Sequence, residues 1–306
     1  MMQRYRTALI VLPVLVILAL LPLGVGGYIL GLLTLGYYYA VFSMSWDLLF
    51  GFAGEVNFGP SFLIGVGAYA AALLNHYWEW PIPLCLAVGA VAAVLAGVAL
   101  AVPALRLTGP YFGLVTLVAV LLLQNVLVLF AGVTGGEIGL DLPDVLSIDA
   151  NTNYYYALVF MVISGGILFG LSRSPVGLIL QASGQDAIEA SALGFNVAKH
   201  KLTAFCISAF FSGLSGAMLV FYLGTASVGT VVDIAVGVNV IIAAVLGGRR
   251  TIIGAAVGAV FLIGAGEILR PLGQLSTFVV AAVALVVILF FPGGFMGRLL
   301  HAEGRE

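Results

Sequence analysis

The chain has 306 residues, 62% of them hydrophobic and 8% charged, with a formal net charge of −2. Soluble domains carry about 25% Asp, Glu, Lys and Arg, so 11 basic and 13 acidic residues cannot cover a water-soluble globule of this length. The small net charge and the lack of a basic run exclude a nucleic-acid partner, and a mean hydropathy of +1.21 makes membrane lipid the main solvent.

An apolar run at 8–23 follows Arg4-Tyr5-Arg6. Its length, and the lack of a small-x-small cleavage site before Tyr28, predict an uncleaved first transmembrane helix and not a signal peptide. Further apolar segments follow at 28–50, 57–75, 82–103, 111–131, 153–171, 202–223, 234–247, 252–269 and 274–291, ten in all. A span needs about 20 apolar residues. The 57–75 segment is glycine-rich and the 234–247 segment is short, which marks both as candidates for broken or re-entrant helices.

Charge placement tests the count. With a cytoplasmic N-terminus and ten crossings, Arg4, Arg6, Arg106, Arg173, Lys199, Lys201, Arg249, Arg250, Arg298 and Arg305 share the cytoplasmic side, and only Arg270 falls outside. That asymmetry follows the positive-inside rule. The 132–152 loop then lies outside, with Glu137, Asp141, Asp144 and Asp149 and no basic residue. The expectation is an all-α polytopic membrane protein: a single transmembrane domain over 1–306, about ten transmembrane helices, and both termini cytoplasmic.

The 172–201 connection is the longest on the cytoplasmic side. Ser174-Pro175 breaks the preceding helix. Gly184-Gln185-Asp186 opens a short helix through Leu193, and Gly194 with Asn196 stops it. A short helix lying along the membrane suits docking of a partner; an ordinary interfacial connector is the other reading.

Chemistry is scarce. The only lysines, Lys199 and Lys201, lack a P-loop context, so this chain does not hold ATP in one. His76, His200 and His301 have no metal-ligand spacing, and no metal or other cofactor is expected. Cys85 and Cys206 sit in apolar runs and read as small core residues. Gly213-Leu214-Ser215-Gly216 is similar to the motif of rhomboid proteases, but no histidine is placed to activate Ser215. Close helix packing by small residues explains it better, and no catalytic residue is assigned. Asp47 and Glu267 lie near segment ends, where an interfacial position is the simplest reading. Gln124, Asn125 and Asn239 either line a path or hydrogen-bond between helices. No carboxylate lies at midspan, which argues against a stand-alone secondary carrier, the alternative function.

Glycine is the most telling residue. Gly51, Gly54, Asn57 and Gly59 precede Gly65 and Gly67; Gly247, Gly248 and Thr251 precede Gly254 and Gly258. Small-xxx-small spacing lets helices approach. The clustering at two cytoplasmic ends also suits a pathway or gate that bends there.

Together these segments resemble the permeases of branched-chain amino-acid ABC importers. GFAGEVNFGPSFLIGVGAYAAALL (51–74) resembles the family's GYAGQxSxGHxxFxGxGAY signature. LRLTGPYFGLVTL (105–117) and TGGEIGL (134–140) are similar to motifs of its M-type subunit, the latter shared with urea-permease relatives. SPVGLILQASGQDAIEASALGFNVAKHKLTAFCISAFFSGLSGAM (174–218) resembles the family's coupling loop and following span, and LGGRRTIIGAAVGA (246–259) its LGGxGTxxGPxxGA. The resemblance implies two related halves, a homologous H-type permease partner and a translocation pathway between the two. It also implies two cytoplasmic ATPase subunits docked on Gly184, Gln185, Asp186, Glu189, Ala192, Leu193 and Gly194. A periplasmic or lipid-anchored binding protein would feed the outer face, and the location would be a bacterial or archaeal inner membrane. Branched-chain amino acids are the implied substrate, with urea or short amides as the alternative. The sequence departs from the family at Gly184-Gln185-Asp186, usually Arg-Glu-Asn, at Pro60, usually His, at Arg250 and Ala255, usually Gly and Pro, and at Asp47, usually Asn.

Overall fold

The computed structural model describes residues 15–105 and 111–273, with isolated positions at 13, 275, 279, 282 and 294. Eight long helices stand among these residues: α1 (Gly27–Asp47), α2 (Pro60–Trp78), α3 (Ile82–Ala104), α4 (Tyr111–Leu129), α5 (Ala150–Ser172), α8 (Val197–Leu223), α9 (Ile234–Gly247) and α10 (Ile252–Leu269). Two short helices, α6 (Pro175–Gln185) and α7 (Ala187–Ala192), join α5 to α8. A single antiparallel pair, β1 (Leu140–Asp141) with β2 (Thr225–Ala226), is the only sheet among the described residues.

Seven stretches are long and apolar enough to cross a membrane: 27–52, 82–104, 111–129, 150–172, 197–223, 228–247 and 252–269. The chain is a multi-pass, all-helical membrane protein. Helix α2 is long enough, but it ends in Asn75-His76-Tyr77-Trp78 and is less apolar. Of the ten expected segments, the first is helical over residues 15–20 and closes in a 3-10 turn at Leu21–Leu23, with 8–12 and 14 outside the described residues, as is nearly all of 274–291.

The two doubtful segments resolve differently. The 57–75 segment is irregular only to Gly59; from Pro60, a residue suited to a first helical turn, α2 runs without a break. The 234–247 segment gains a preceding turn, Val228–Val231, and the break falls at Val232-Asp233. Asp233 caps α9 by accepting the Ala235 amide at 2.7 Å.

Polar caps mark other helix ends. Asp149 accepts the Thr152 hydroxyl at 2.8 Å and the Thr152 amide at 2.9 Å and opens α5; those hydrogen bonds hold its carboxyl below the usual carboxylate range. Asn196 accepts the Lys199 amide at 3.0 Å and opens α8.

Helices α8 and α1 form the centre. Within their most apolar windows 72% and 56% of residues are buried, against 28–39% in the other spans. Helix α8 packs on α3, α2 and α1; α1 packs on α10, α5 and α8; α9 packs on α10. Small residues permit the closest approaches. A Cβ on Gly67 of α2 would strike the backbone of Gly213 on α8, and one on Gly89 of α3 would lie 2.6 Å from the Gly67 carbonyl oxygen. Hydroxyls stitch the same interior: the Ser45 and Ser212 hydroxyls are 2.8 Å apart, as are those of Tyr37 and Tyr154.

The loops gather at two ends. The near end holds residues 48–59, α6–α7 and 248–251; the far end holds 130–149 and 224–227. At the far end Asn75 donates to Asp144 Oδ2 at 2.8 Å and accepts the Asp144 amide at 3.3 Å. His76 Nδ1 lies 2.8 Å from the Asp141 carbonyl, and the Tyr77 hydroxyl donates to the Val133 carbonyl at 2.9 Å. In the TGGEIGL stretch Gly135, Gly136 and Gly139 have φ of 75°, 59° and 98°, so each glycine stands where a side chain would be strained.

Candidate functional site: the near-end loops and the helix α6–α7 segment

The end of α1 departs from α-helical geometry. Residues Leu48–Phe52 form one π turn before the chain enters the 53–59 loop. π turns are rare and often mark functional positions. Around this turn the structure assembles most of the glycines singled out in the sequence.

Asp47, placed at an interface by its sequence position, is instead fully buried. The helix continues past it through the π turn, so its carboxylate points inside the bundle and Oδ1 accepts the Arg250 amide at 3.0 Å. Arg250 has a φ of 64° and sends Nε to the Gly51 carbonyl at 2.9 Å. The Arg249 guanidinium lies 4.6 Å from the Phe50 ring centroid, and Phe50 stacks on Trp46 at 4.6 Å. Gly51 is required here because a Cβ would lie 2.9 Å from the Arg250 nitrogen and collide with Asp47. Gly248 and Thr251 complete the loop, with the Thr251 hydroxyl donating to the Gly248 carbonyl. Gly247 lies against the Gly254 carbonyl, where α9 and α10 touch.

The 53–59 loop is equally well tied. Trp46 Nε1 donates to the Asn57 carbonyl at 2.7 Å, and Asn57 Oδ1 accepts the Gly59 amide at 2.9 Å. The Phe58 amide donates to the Thr116 hydroxyl of α4 at 3.0 Å. Asn57 is 1% exposed and holds the loop's shape; its side chain does not face an opening. Gly59 abuts the Thr116 carbonyl, Gly65 abuts Val232, and Gly67 abuts Gly213. These three serve helix contacts.

The polar residues of the spans separate. Gln124 Nε2 reaches the Val232 carbonyl at 3.4 Å, tying α4 to the break before α9. Asn125 is exposed and its amide donates to the Leu121 carbonyl of its own helix at 2.7 Å. Asn239 is half-buried on α9. A groove between α3, α5 and α8, bounded by Val94, Ile167, Cys206 and Phe210, is apolar and suits lipid.

The short helix expected to open at Gly184 begins later. Gly184 and Gln185 belong to the last turn of α6. Asp186 is the cap of α7, accepting the Ile188 and Glu189 amides at 2.8 and 3.0 Å. Capping needs an unpaired side-chain oxygen outside the helix, which Gln185 inside α6 does not supply. Ala190 is 2% exposed and anchors α7, whereas Ile188 is 82% and Leu193 75% exposed. Glu189 and Ala192 share the exposed surface, and Gly194 ends the segment with a φ of 88°.

Two contacts hold the 53–59 loop, one from the end of α6 and one from the start of α8. Gly54, with a φ of 74°, lies against Gly184 so closely that a Cβ on either would fall within 2.9 Å of the other's backbone. Lys201 Nζ pairs with Glu55 Oε1 at 2.5 Å, and both side chains are mostly buried, at 18% and 16% exposure. Sequence reasoning missed this pair. The two residues stand 146 positions apart, and no spacing rule links them.

The family model for the permease component of the branched-chain amino acid transport system matches residues 28–292. The chain belongs to that family. This permease is 27% identical over 297 residues to the high-affinity branched-chain amino acid transport permease LivM of Escherichia coli K12, covering 86% of this chain and 68% of the relative. It is 25% identical over 291 residues to LivH of the same strain, covering 87% and 93%. BraD of Pseudomonas aeruginosa is 26% identical over 290 residues, covering 87% and 94%. No solved structure matches. The permease resembles transport subunits throughout, and its serine motif agrees with that. Ser215 is buried and donates to the Tyr38 carbonyl at 3.2 Å. His200 lies fifteen residues earlier on the same helix, about 22 Å away along its axis.

Proposed function

We propose that this chain is the membrane permease subunit of an ATP-driven importer for branched-chain amino acids. It forms the translocation pathway with a homologous permease, and separate ATPase subunits dock on α6–α7 from the cytoplasm. A substrate-binding protein delivers to the acidic far end, in a bacterial or archaeal inner membrane. The single observation that supports this most is α7 itself. It stands outside the bundle at the near end, anchored by Ala190, with Ile188 and Leu193 left bare. An isolated six-residue helix gains nothing from exposing two large apolar side chains unless something covers them.

Further support comes from the packing order. Helix α1 packs on α10 as α8 packs on α3, and α2 and α9 each pack on the following helix. That correspondence suits two related halves of opposite direction. The near end also collects Arg173, Lys199, Lys201, Arg249 and Arg250, as a cytoplasmic face would. Gln124, Asn125 and Asn239 on α4 and α9 are the pathway residues of this reading. Asn125 is exposed, and an exposed amide is costly against lipid and gains from a water-filled or partner-covered face.

The test is reconstitution. The permease, a homologous partner, the ATPases and the binding protein are placed in proteoliposomes and uptake of leucine, and of urea, is followed. ATP-dependent leucine uptake is expected. Uptake of urea alone would move the substrate to short amides. Ion-driven uptake by this chain without ATPases would replace the importer with a secondary carrier.

A further inference from the structure

We infer that Glu55 and Lys201 are positioning residues which, with the Gly54–Gly184 contact, transmit movement of the α6–α7 segment to the π turn of α1. This deepens the reading of α6–α7 as the ATPase-docking segment and rests on it.

The contacts form one continuous path. Movement of α7 turns α6, whose last turn contains Gly184. Gly184 touches the chain at Phe52–Gly54 backbone to backbone, since a Cβ there would lie 2.7 Å from the Phe52 carbonyl oxygen and 2.9 Å from the Gly54 nitrogen. Backbone-to-backbone contact leaves no flexible side chain to absorb a displacement. Lys201 of α8 grips the next residue, Glu55. The loop is therefore held from two elements, the end of α6 and the start of α8. Its other side is tied to Trp46 and to Thr116 of α4, and the π turn is tied through Gly51 to Arg250. A push at α7 thus reaches α1, α4 and the α9–α10 loop through the π turn and the 53–59 loop. The π turn is where α1 can absorb it, because its hydrogen bonds are already out of α-helical register.

A merely structural ion pair would lower protein yield or stability when broken and leave the ratio of leucine moved to ATP hydrolysed unchanged. A transmitting pair changes the ratio. In the reconstituted full complex, Glu55→Lys and Lys201→Glu are expected to lower leucine transported per ATP about tenfold each. The double exchange, which restores opposite charges in the same place, is expected to return within about threefold of wild type. Glu55→Gln and Lys201→Met break the pair without placing like charges together, and are expected to lower the ratio about threefold even if the reversals fail to fold. An unchanged ratio in those two neutral variants overturns the inference, as does a double exchange that folds and stays as low as the single reversals. A wild-type complex without ATP-dependent uptake removes the importer reading itself, and this inference with it.

Discussion

The two ends of the bundle are closed by different chemistry. At the far end, distant chain segments are joined by side-chain hydrogen bonds and a strand pair: Asn75 with Asp144, His76 with Asp141, β1 with β2. At the near end glycine contacts and one ion pair carry much of the joining, beside the Asp47–Arg250, Arg250–Gly51 and Phe58–Thr116 hydrogen bonds. Directional hydrogen bonds fix one geometry and weaken steeply when bent. Glycine contacts can pivot while backbone stays against backbone. The far end is thus built to hold its shape, and the near end to change while staying in contact. Helices α1 and α8 connect the two.

That contrast is broken most severely in the middle, where the ends meet mechanically. Gly67→Val places a branched side chain into the Gly213 backbone and forces α2 from α8. Overpacking costs about 1–3 kcal/mol and more where neither side yields; here both sides are backbone. We expect loss of most folded protein, read as monodisperse yield in detergent. A normal yield with unchanged thermal unfolding would show that α2 and α8 are not in register at this point.

At the far end, Asn75→Leu removes both bonds to Asp144 and the amide's bond to the Trp80 carbonyl. Asp144 is exposed and regains water, so the cost is that of the lost bonds, about 0.5–1.5 kcal/mol net each. A fall of several degrees in Tm is expected, with the leucine-to-ATP ratio unchanged. If the ratio fell and Tm held, the far end would be a moving part and the contrast would reverse.

Much of this was legible in the sequence, for physical reasons. Apolar length located the spans, because the bilayer sets it. Ser174-Pro175 marked the break after α5 and Gly194 the end of the short helix, while Asn196, read as part of that stop, also caps α8. The glycines of TGGEIGL and of the two near-end loops were visible as a cluster, and each of Gly51, Gly54 and Gly247 meets backbone or a buried carboxylate. Pairings across the fold were not legible. Asp47 read as interfacial because position in a run does not say that a helix continues as a π turn. Glu55 and Lys201 carried no mutual signal. The coupling helix began two residues late because Gly184 and Gln185 remain hydrogen-bonded within α6, and only the extended backbone of Asp186 breaks it.

At the near end a milder change sharpens the comparison. Asp186→Ala removes the cap that separates α6 from α7. A lost cap costs about 1 kcal/mol, too little to unfold the bundle but enough to loosen a six-residue helix. Amide exchange is expected to quicken about fivefold over Ala187–Ala192 and to stay unchanged at Asn75 and in β1. Equal quickening at both ends would mean that α7 is not an independent unit.

The smallest effect is expected at Ser215. Its hydroxyl is fully buried, and its one bond is to the Tyr38 carbonyl of α1. Ser215→Ala removes a donor and leaves a helix carbonyl that keeps its own backbone partner. A neutral hydrogen bond contributes about 0.5–1.5 kcal/mol net, and alanine fits wherever serine does. Leucine uptake is expected to stay within twofold, with Tm lower by a degree or two. A nucleophile in the same position would behave otherwise: its loss would abolish activity with folding intact. Complete loss from a normally inserted Ser215→Ala protein would therefore return Gly213-Leu214-Ser215-Gly216 to chemistry, and its retention leaves the motif as the seam where α8 meets α1 and α2.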